Sequence, residues 1–246
     1  MSEQYDNIMT QEITFTSDSL RLHGTLSKPD IRRPPIVIGS HGLLSNIDSP
    51  KQIRLAQACN QCNIAFFRFD HRGCGQSQGV FQDVTNLKAR CNDLSAAIKV
   101  MQSRNDIGDQ IGLFGSSLGG AACLTVAARL KVNALVIVAS PLRSRGLINV
   151  SQSDDEFGAL PFSFYQKNLQ FDISDSLSSA HTILILHGDD DTIVPIANAH
   201  EALAKAGNPK KLIIQKNGDH RMSNPEDQQH FIRQAVSWFD SYLKPG

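Results

Sequence analysis

The chain has 246 residues, of which 41% are hydrophobic and 20% are charged, an ordinary composition for a globular protein with a sizeable core. Its 24 basic and 24 acidic side chains give a formal net charge of zero, which argues against a nucleic-acid or anionic-membrane partner. No apolar run approaches the ~18 residues of a membrane span, and the polar N-terminus lacks the apolar core of a signal peptide.

The cysteines bear on location and on metal binding. An odd number of them, five, predicts reduced thiols and a cytoplasmic location rather than a disulfide framework. Cys59 and Cys62 form a C-x-x-C pair within a helical pattern, but no second cysteine–histidine pair completes a zinc site. We therefore expect neither a metal nor a cofactor.

Two short strands open the chain, Glu12 to Thr16 and Leu20 to Leu26, and the polar residues between them predict an antiparallel pair. Six further strand-like runs follow, most of them continuously apolar. They are Ile36 to Gly39, Ile64 to Phe69, Ile111 to Phe114, Ala134 to Ala139, Thr182 to Leu186 and Lys211 to Gln215. Continuous apolar strands indicate burial on both faces of a parallel sheet.

Helical patterns lie between these strands. Apolar residues recur at helical spacing from Leu87 to Met101, and a run of small residues from Leu118 to Leu130 also predicts a helix. The C-terminal segment Phe231 to Tyr242 has the same period, and Asn224 followed by Pro225 gives it a cap and a first turn. The alternation of strands and helices predicts a mostly parallel, doubly wound α/β sheet.

One long segment, Ser140 to Ser179, interrupts the alternation of strands and helices because it contains no clear strand. It is too long for an ordinary loop, so we predict a single domain over residues 1–246 with a small helical cap inserted at about 141–179. Aromatic residues of this segment either line a pocket for an apolar acyl or aromatic group or only pack the cap, and the two readings are evenly balanced. They include Phe162, Phe164 and Tyr165.

The most distinctive motif is Gly115-Ser116-Ser117-Leu118-Gly119, which follows an apolar strand and opens a helix. A serine between two glycines at a strand-to-helix turn is typical of a nucleophile elbow, in which the sharp turn lifts the hydroxyl above the sheet. Ser117 is therefore the candidate nucleophile. A serine hydroxyl also needs a histidine base and an acid that orients this base.

A second G-x-S-x-G sequence, Gly75 to Gly79, surrounds Ser77. It lies in a glycine-rich and polar stretch away from its strand, and no helical pattern begins at this serine. A nucleophile elbow requires a strand directly before the serine and a helix that begins at it, so Ser117 is strongly favoured over Ser77.

Three aspartates follow an apolar strand that ends near His187 and compete for the role of the acid. Carboxylates at strand ends lie at the edge of an α/β sheet where sites form. Asp191 is the candidate, but spacing alone leaves Asp189 and Asp190 open, because turn aspartates commonly bind loop amides. We expect His187 to form a structural hydrogen bond.

The candidate base is His220, which lies in the loop between the last strand and the last helix. This loop can reach over the sheet edge toward Ser117. Four other histidines fall in predicted surface strands or helices and are expected to be inert. They are His23, His181, His200 and His230.

The order serine, acid, histidine is the order found in α/β-hydrolases, and further segments resemble this superfamily. Ile36 to Leu44 resembles its strand that ends in His-Gly. Asp70 to Ser77 is similar to its D-x-R-G-x-G-x-S loop, which is structural and accounts for the second serine motif. Asp191 to Pro195 resembles the D-x-x-V-P sequence that marks the acid and favours Asp191. Gly218-Asp219-His220 resembles the segment with the base.

Within the superfamily, the chain resembles a small-cap esterase group that includes cinnamoyl and feruloyl esterases, monoglyceride-lipase-like enzymes and serine-aminopeptidase-like hydrolases. The resemblance implies the α/β-hydrolase fold, with an antiparallel N-terminal strand pair and a small helical cap. It also implies an oxyanion hole formed by the backbone N–H groups of Leu43 and Leu118, with Gly42 and Leu44 lining the substrate pocket. The short cap speaks against long-chain fats as substrates.

Together these features predict a serine hydrolase that cleaves small carboxylic esters, with short-chain or aryl esters favoured, through Ser117, His220, Asp191 and an acyl-enzyme intermediate. A peptidase, amidase or thioesterase would use the same three residues, and a non-catalytic binding module on this fold is a further alternative. The serine at position 117 disfavours the aspartate-nucleophile chemistry of dehalogenases and epoxide hydrolases. The sequence does not indicate an oligomeric state.

Overall fold

The computed structural model describes residues 8–144 and 160–244. Eight strands form one sheet in the order β1-β2-β4-β3-β5-β6-β7-β8. Their bounds are β1 (Ile8–Ser17), β2 (Leu20–Pro29), β3 (Ile36–Ser40), β4 (Ala65–Phe69), β5 (Ile111–Ser116), β6 (Ala134–Val138), β7 (Ile183–Gly188) and β8 (Lys210–Gln215). Strand β2 pairs antiparallel with β1 and with β4, and the other pairs are parallel. The predicted sheet, including its antiparallel N-terminal pair, is confirmed.

Helices cover both faces of the sheet. Their bounds in the described residues are α1 (Pro50–Gln61), α2 (Phe81–Val84), α3 (Leu87–Gln102), α4 (Leu118–Ala127), α5 (Phe162–Asn168), α6 (Ala197–Lys205) and α7 (Pro225–Tyr242), with a 3₁₀ helix at Ser174–Ser179. One buried cluster packs α3, α4 and α6 against the sheet, and a second packs α1 and α7 on the opposite face. In the described ranges no helix is long and apolar enough to cross a membrane.

Local sequence explains the strands and the helix ends. Strands β3 and β6 are buried at every residue because helices cover both sides of them. Strand β1 is longer than predicted, because its ladder with β2 continues through exposed residues as far as Ile8. The Asn86 side chain accepts from Ala89 N at the start of α3, and Asn224 accepts from Glu226 N at the start of α7.

The predicted cap at about 141–179 is described only in part, because residues 145–159 lie outside the described residues. Its first residues are fixed to the body of the protein. Arg143 donates two hydrogen bonds to the Glu201 carboxylate of α6, at 2.6 and 2.7 Å, and a third, within the predicted cap segment, to Asp172 at 2.9 Å. The backbone N–H of Leu142 also donates to Asn198 Oδ1 at 3.0 Å.

The carboxyl ends of the parallel strands meet at one edge of the sheet. The segments that follow β3, β5, β7 and β8 begin there, and they contain His41, Ser117, Asp191 and His220 respectively. Ligand sites in α/β sheets form at this edge. The topology therefore brings four chemically useful side chains, distant in sequence, to one region.

Candidate active site

Ser117 lies on a sharp turn between β5 and α4. Its φ of +51° is in the left-handed region, which a non-glycine residue adopts only when its surroundings hold it there. Its backbone N–H donates to Val138 O at 2.9 Å on the neighbouring strand. A Cβ on Gly115 would lie 2.6 Å from Gly119 O, and a Cβ on Gly119 would overlap Ser40 O. Both motif glycines are therefore required by close packing, as a nucleophile elbow demands.

The Ser117 hydroxyl, His220 and Asp191 form a continuous hydrogen-bonded chain. His220 Nδ1 lies 2.8 Å from Asp191 Oδ2, and His220 Nε2 lies 3.1 Å from Ser117 Oγ. A carboxylate only accepts, so Nδ1 donates to it and Nε2 is left to accept the serine proton. This arrangement can deprotonate the serine oxygen.

Both oxygens of the buried Asp191 carboxylate accept hydrogen bonds. Its Oδ1 accepts from the backbone N–H groups of Ile193 and Val194 at 2.9 and 2.8 Å, and its Oδ2 lies 3.3 Å from His187 Nε2 besides contacting His220. Burial raises the pKa of Asp191, but hydrogen bonds from His187 and His220 outweigh it and hold this pKa well below the ordinary value. The group is therefore a carboxylate at neutral pH. His187 Nε2 also hydrogen-bonds Val194 O at 2.8 Å.

The other two aspartates join the acid loop to the histidine loop. Asp189 Oδ1 accepts from Asn217 N at 2.5 Å, and the Asp189 N–H donates to Gln215 O at 3.1 Å. The Asp190 N–H donates to Gly218 O at 3.1 Å. Both aspartate side chains are exposed, and of the three aspartates only Asp191 contacts His220 in the described structure.

A cavity of about 430 Å³ opens beside Ser117 and His220. Gly42, Leu43 and Leu44 are among the residues that line it, and a role of Gly42 and Leu44 in substrate binding stays a prediction. A Cβ on Gly42 would lie 3.5 Å from Ser117 Cβ, so this loop is adjacent to the serine. Leu118 follows the serine as the first residue of α4, at the positive end of the helix dipole. The roles of Leu43 and Leu118 as oxyanion donors stay a prediction.

The lining of the cavity also includes charged side chains, which sequence reasoning did not anticipate. Lys51 and Arg221 line it together with one acid, Asp48. Burial lowers the pKa of Lys51 to about 8, although Asp219 and Asp191 partly offset this effect. Lys51 belongs to no motif. The sequence feature that could have placed it near the cavity is its position in the first turn of a helix that follows the His-Gly loop.

The cap aromatics are not among the residues that line this cavity. Phe164 and Tyr165 are buried in the core, and the Phe164 ring stacks on Phe81 with centroids 5.6 Å apart. Phe162 is 39% exposed. A role of these three residues in substrate binding stays a prediction.

Ser77 has structural partners. Its Oγ donates to Asp70 O at 2.7 Å and accepts from His23 N at 2.9 Å. These bonds join the Asp70 loop to β2, and the serine lies apart from the Ser117–His220–Asp191 chain.

A buried polar cluster underlies the His-Gly loop, and its members from α3 belong to no sequence motif. Arg90 of α3 donates to carbonyl oxygens of this loop, while His41 and His71 lie edge to face with ring centroids 4.9 Å apart. Asp93 of α3 accepts from Arg72 at 2.7 Å and lies 3.4 Å from His71 Nδ1. The available signal was that Arg90 and Asp93 share the helix face of the apolar residues Leu87, Cys91 and Leu94. Within the described residues, no group of three or more His, Cys, Asp or Glu side chains could hold a metal ion.

Comparison with known proteins finds hydrolases among the proteins similar to this chain. A family model described as Serine aminopeptidase, S33 (Hydrolase_4) matches residues 33–153. The uncharacterized protein YfhR of Salmonella typhi is 28% identical over 222 residues, which cover 85% of this chain and 74% of that protein. The mitochondrial palmitoyl-protein thioesterase ABHD10 of Mus musculus is 28% identical over 219 residues, covering 79% of this chain and 72% of that protein.

Solved structures share the fold. The esterase domain of a Rhodothermus marinus protein superposes with a TM-score of 0.73 at 22% identity, covering 96% of this chain and 100% of that domain. The elbow at Ser117, the strand order and the family-model match all point to one assignment. The chain has the α/β-hydrolase fold.

Proposed function

We propose that the protein is a serine hydrolase that cleaves carboxylic esters through an acyl-enzyme intermediate on Ser117. The observation that supports this most directly is the unbroken hydrogen-bonded chain from Ser117 Oγ through His220 to Asp191, at the border of a cavity. A serine hydroxyl alone is a weak nucleophile, and this geometry is the arrangement that activates it.

In the proposed reaction His220 Nε2 takes the Ser117 proton as Oγ attacks the ester carbonyl carbon. The negative charge that develops on the carbonyl oxygen is stabilised by the N–H groups of Leu43 and Leu118. His220 then gives its proton to the leaving alcohol. A water molecule activated by the same histidine hydrolyses the acyl-enzyme, and Asp191 stabilises the imidazolium in both steps.

The size of the cavity supports a small substrate. Its volume of about 430 Å³ lies in the lower part of the range of small-molecule sites, which supports short-chain or aryl esters over long-chain fats. The chemistry needs no cofactor. The five cysteines are free thiols, which agrees with our proposal of a cytoplasmic location.

A thioesterase is the second candidate. The resemblance to the palmitoyl-protein thioesterase ABHD10 favours it, because 28% identity extends over 79% of this chain. A thioester reacts through the same acyl-enzyme intermediate, so the three site residues do not distinguish the two activities. An amidase or peptidase would also use these residues.

The test begins with fluorophosphonate labelling, peptide mapping and a Ser117→Ala control. We then expect hydrolysis of 4-nitrophenyl esters from acetate to palmitate with an optimum at short chains. The matched butyryl thioester and butyryl anilide would separate esterase, thioesterase and amidase activities by their kcat/KM values. Folded protein that neither labels nor hydrolyses any of these substrates would refute the proposal and favour a non-catalytic binding module.

A further inference from the structure

A buried arginine holds the loop between β3 and α1. Arg90 is 0% exposed, and its Nη1 donates to the carbonyl oxygens of His41 and Gly42 at 2.8 and 3.1 Å. Its Nη2 donates to the carbonyl oxygen of Leu43 at 3.0 Å. One guanidinium group therefore binds three consecutive carbonyl groups of the loop that borders the Ser117 cavity.

The charge of Arg90 forms no ion pair with any described carboxylate. Asp93, the acid three positions along α3, pairs with Arg72 instead. Burial lowers the pKa of Arg90, but a guanidinium stays protonated in proteins. Besides the carbonyl oxygens it contacts only a thiol sulfur, Cys74 Sγ, 3.9 Å from Nη2 in the described structure, and a buried cation without a paired carboxylate costs folding free energy. Stability alone therefore does not favour an arginine at this position.

The Gly42 carbonyl accepts a second hydrogen bond. The His71 backbone N–H donates to His41 Nε2 at 3.1 Å, so the ring proton of a neutral His41 lies on Nδ1. This Nδ1 donates to Gly42 O at 2.8 Å. Burial, with help from Arg90 and His71, holds the pKa of His41 well below its ordinary value and keeps the ring neutral. Arg90 and His41 thus fix the same carbonyl group from two directions.

The Gly42 carbonyl and the Leu43 N–H belong to one trans peptide unit, in which they point in opposite directions. Groups that fix the oxygen therefore fix the N–H as well. Resting on the proposed function, we propose that Arg90 is a positioning residue that aims and polarises the Leu43 N–H as an oxyanion donor. The peptide is thereby oriented before substrate binds, and a donor oriented in advance needs no reorganisation when charge develops on the substrate oxygen.

The test compares wild type with Arg90→Gln, Arg90→Lys and Met101→Ala. Met101 is a matched control because it is fully buried on the same helix, about 16.5 Å along its axis from Arg90 at 1.5 Å per residue. Its truncation destabilises the fold through a cavity without touching the three carbonyl groups. The readouts are kcat and KM for a short-chain ester, and Ki for the matching trifluoromethyl ketone, which forms a hemiketal oxyanion on the serine.

We expect kcat of Arg90→Gln to fall by about 10- to 100-fold with little change in KM, and Ki of the ketone to rise by a similar factor. We expect Arg90→Lys to lose less of kcat than Arg90→Gln, because a lysine keeps the positive charge but not the forked N–H donors of the guanidinium. Met101→Ala, assayed well below its unfolding temperature, keeps the wild-type kcat.

A folded Arg90→Gln with wild-type kcat would overturn the inference, as would an equal loss of kcat in Met101→Ala. If Arg90→Gln does not fold, Arg90→Lys decides the question by the same criteria. A wild-type protein no more active than Ser117→Ala would instead refute the proposed function, and the inference with it.

Discussion

Asp191 Oδ2 lies 2.8 Å from His220 Nδ1, although the two residues are 29 positions apart in the chain. Two features produce this contact. Strands β7 and β8 are parallel neighbours, so the loops that follow them begin side by side. Hydrogen bonds from Asn217 N to Asp189 and from Asp190 N to Gly218 O then join the two loops. The contact sets the histidine tautomer, because a carboxylate can only accept from Nδ1.

Replacing this carboxylate tests its role. Asp191→Asn keeps the shape of the side chain but offers an amide that can donate to Nδ1 and favour the wrong tautomer. We expect kcat to fall by about 10³- to 10⁴-fold in ester hydrolysis. Asp189→Asn is the control, because an asparagine retains an oxygen that can accept from Asn217 N, and we expect wild-type kcat. Equal losses in the two variants would contradict the assignment of Asp191.

The two G-x-S-x-G motifs give a second matched pair. Ser117→Ala removes the proposed nucleophile, so we expect kcat to fall by at least about 10³-fold with the fold intact. Ser77→Ala removes hydrogen bonds to Asp70 O and from His23 N, so we expect a loss of about 1–2 kcal/mol in the free energy of unfolding and unchanged kcat. Ester assays and urea titrations of both variants would measure this difference. A drop in kcat of similar size in Ser77→Ala would exclude a purely structural role for that serine.

Much of the fold was predictable because burial on both faces leaves a simple signal. Strands β3, β5, β6 and β7 are continuous apolar runs, and the helices between them have regular apolar spacing. The extent of β1 was not predictable, because its outer half is exposed, shows no apolar–polar alternation and forms its ladder with β2. Edge strands of this kind depend on partners that local sequence does not reveal.

The candidate site was predictable where a side chain belongs to a motif at a strand end, as for Ser117 and His220. Arg90 was missed because it belongs to no motif and acts through backbone carbonyl groups of a distant loop. Its only local signal is a charged residue on the buried face of an amphipathic helix. Lys51 was missed because its relation to the cavity depends on how α1 follows the loop in three dimensions.

Lys51 gives a pH-dependent prediction about substrate charge. Burial lowers its pKa to about 8, so its positive charge is present at neutral pH and is lost as pH rises through about 8. We expect KM for the 4-nitrophenyl monoester of adipic acid to rise over this pH range relative to KM for 4-nitrophenyl hexanoate. Lys51→Met should raise this ratio of KM values at pH 7 by about fivefold, the effect of a partly exposed charge pair worth about 1 kcal/mol.

The control for Lys51 is the pH profile of the variant itself. Without the lysine, the ratio of the two KM values should be flat between pH 7 and pH 9 because no charge in the variant changes at this position. A wild-type ratio that is equally flat, or a variant that keeps the rise, would show that Lys51 does not sense the substrate carboxylate.

The last prediction concerns acid stability. Burial and the nearby Arg90 lower the pKa of the fully buried His71 to about 4, from an ordinary value of 6.5. Between these two values the unfolded chain binds a proton that the native protein excludes, so the free energy of unfolding falls as pH falls from about 6.5 to about 4. The total loss from this one group is about 3 kcal/mol, at 1.36 kcal/mol for each unit of pKa difference.

Urea titrations of wild type and His71→Asn at pH 7, 6 and 5 would measure this effect, because other titrating groups are common to both proteins. We expect wild type to lose stability faster than the variant, by up to about 1.4 kcal/mol per pH unit. His200→Asn replaces an exposed histidine on α6 and serves as the matched control. A difference between wild type and His71→Asn that stays constant with pH would mean that His71 is protonated equally in the native and unfolded states. The buried cluster beneath the His-Gly loop would then not contribute to acid sensitivity through this ring.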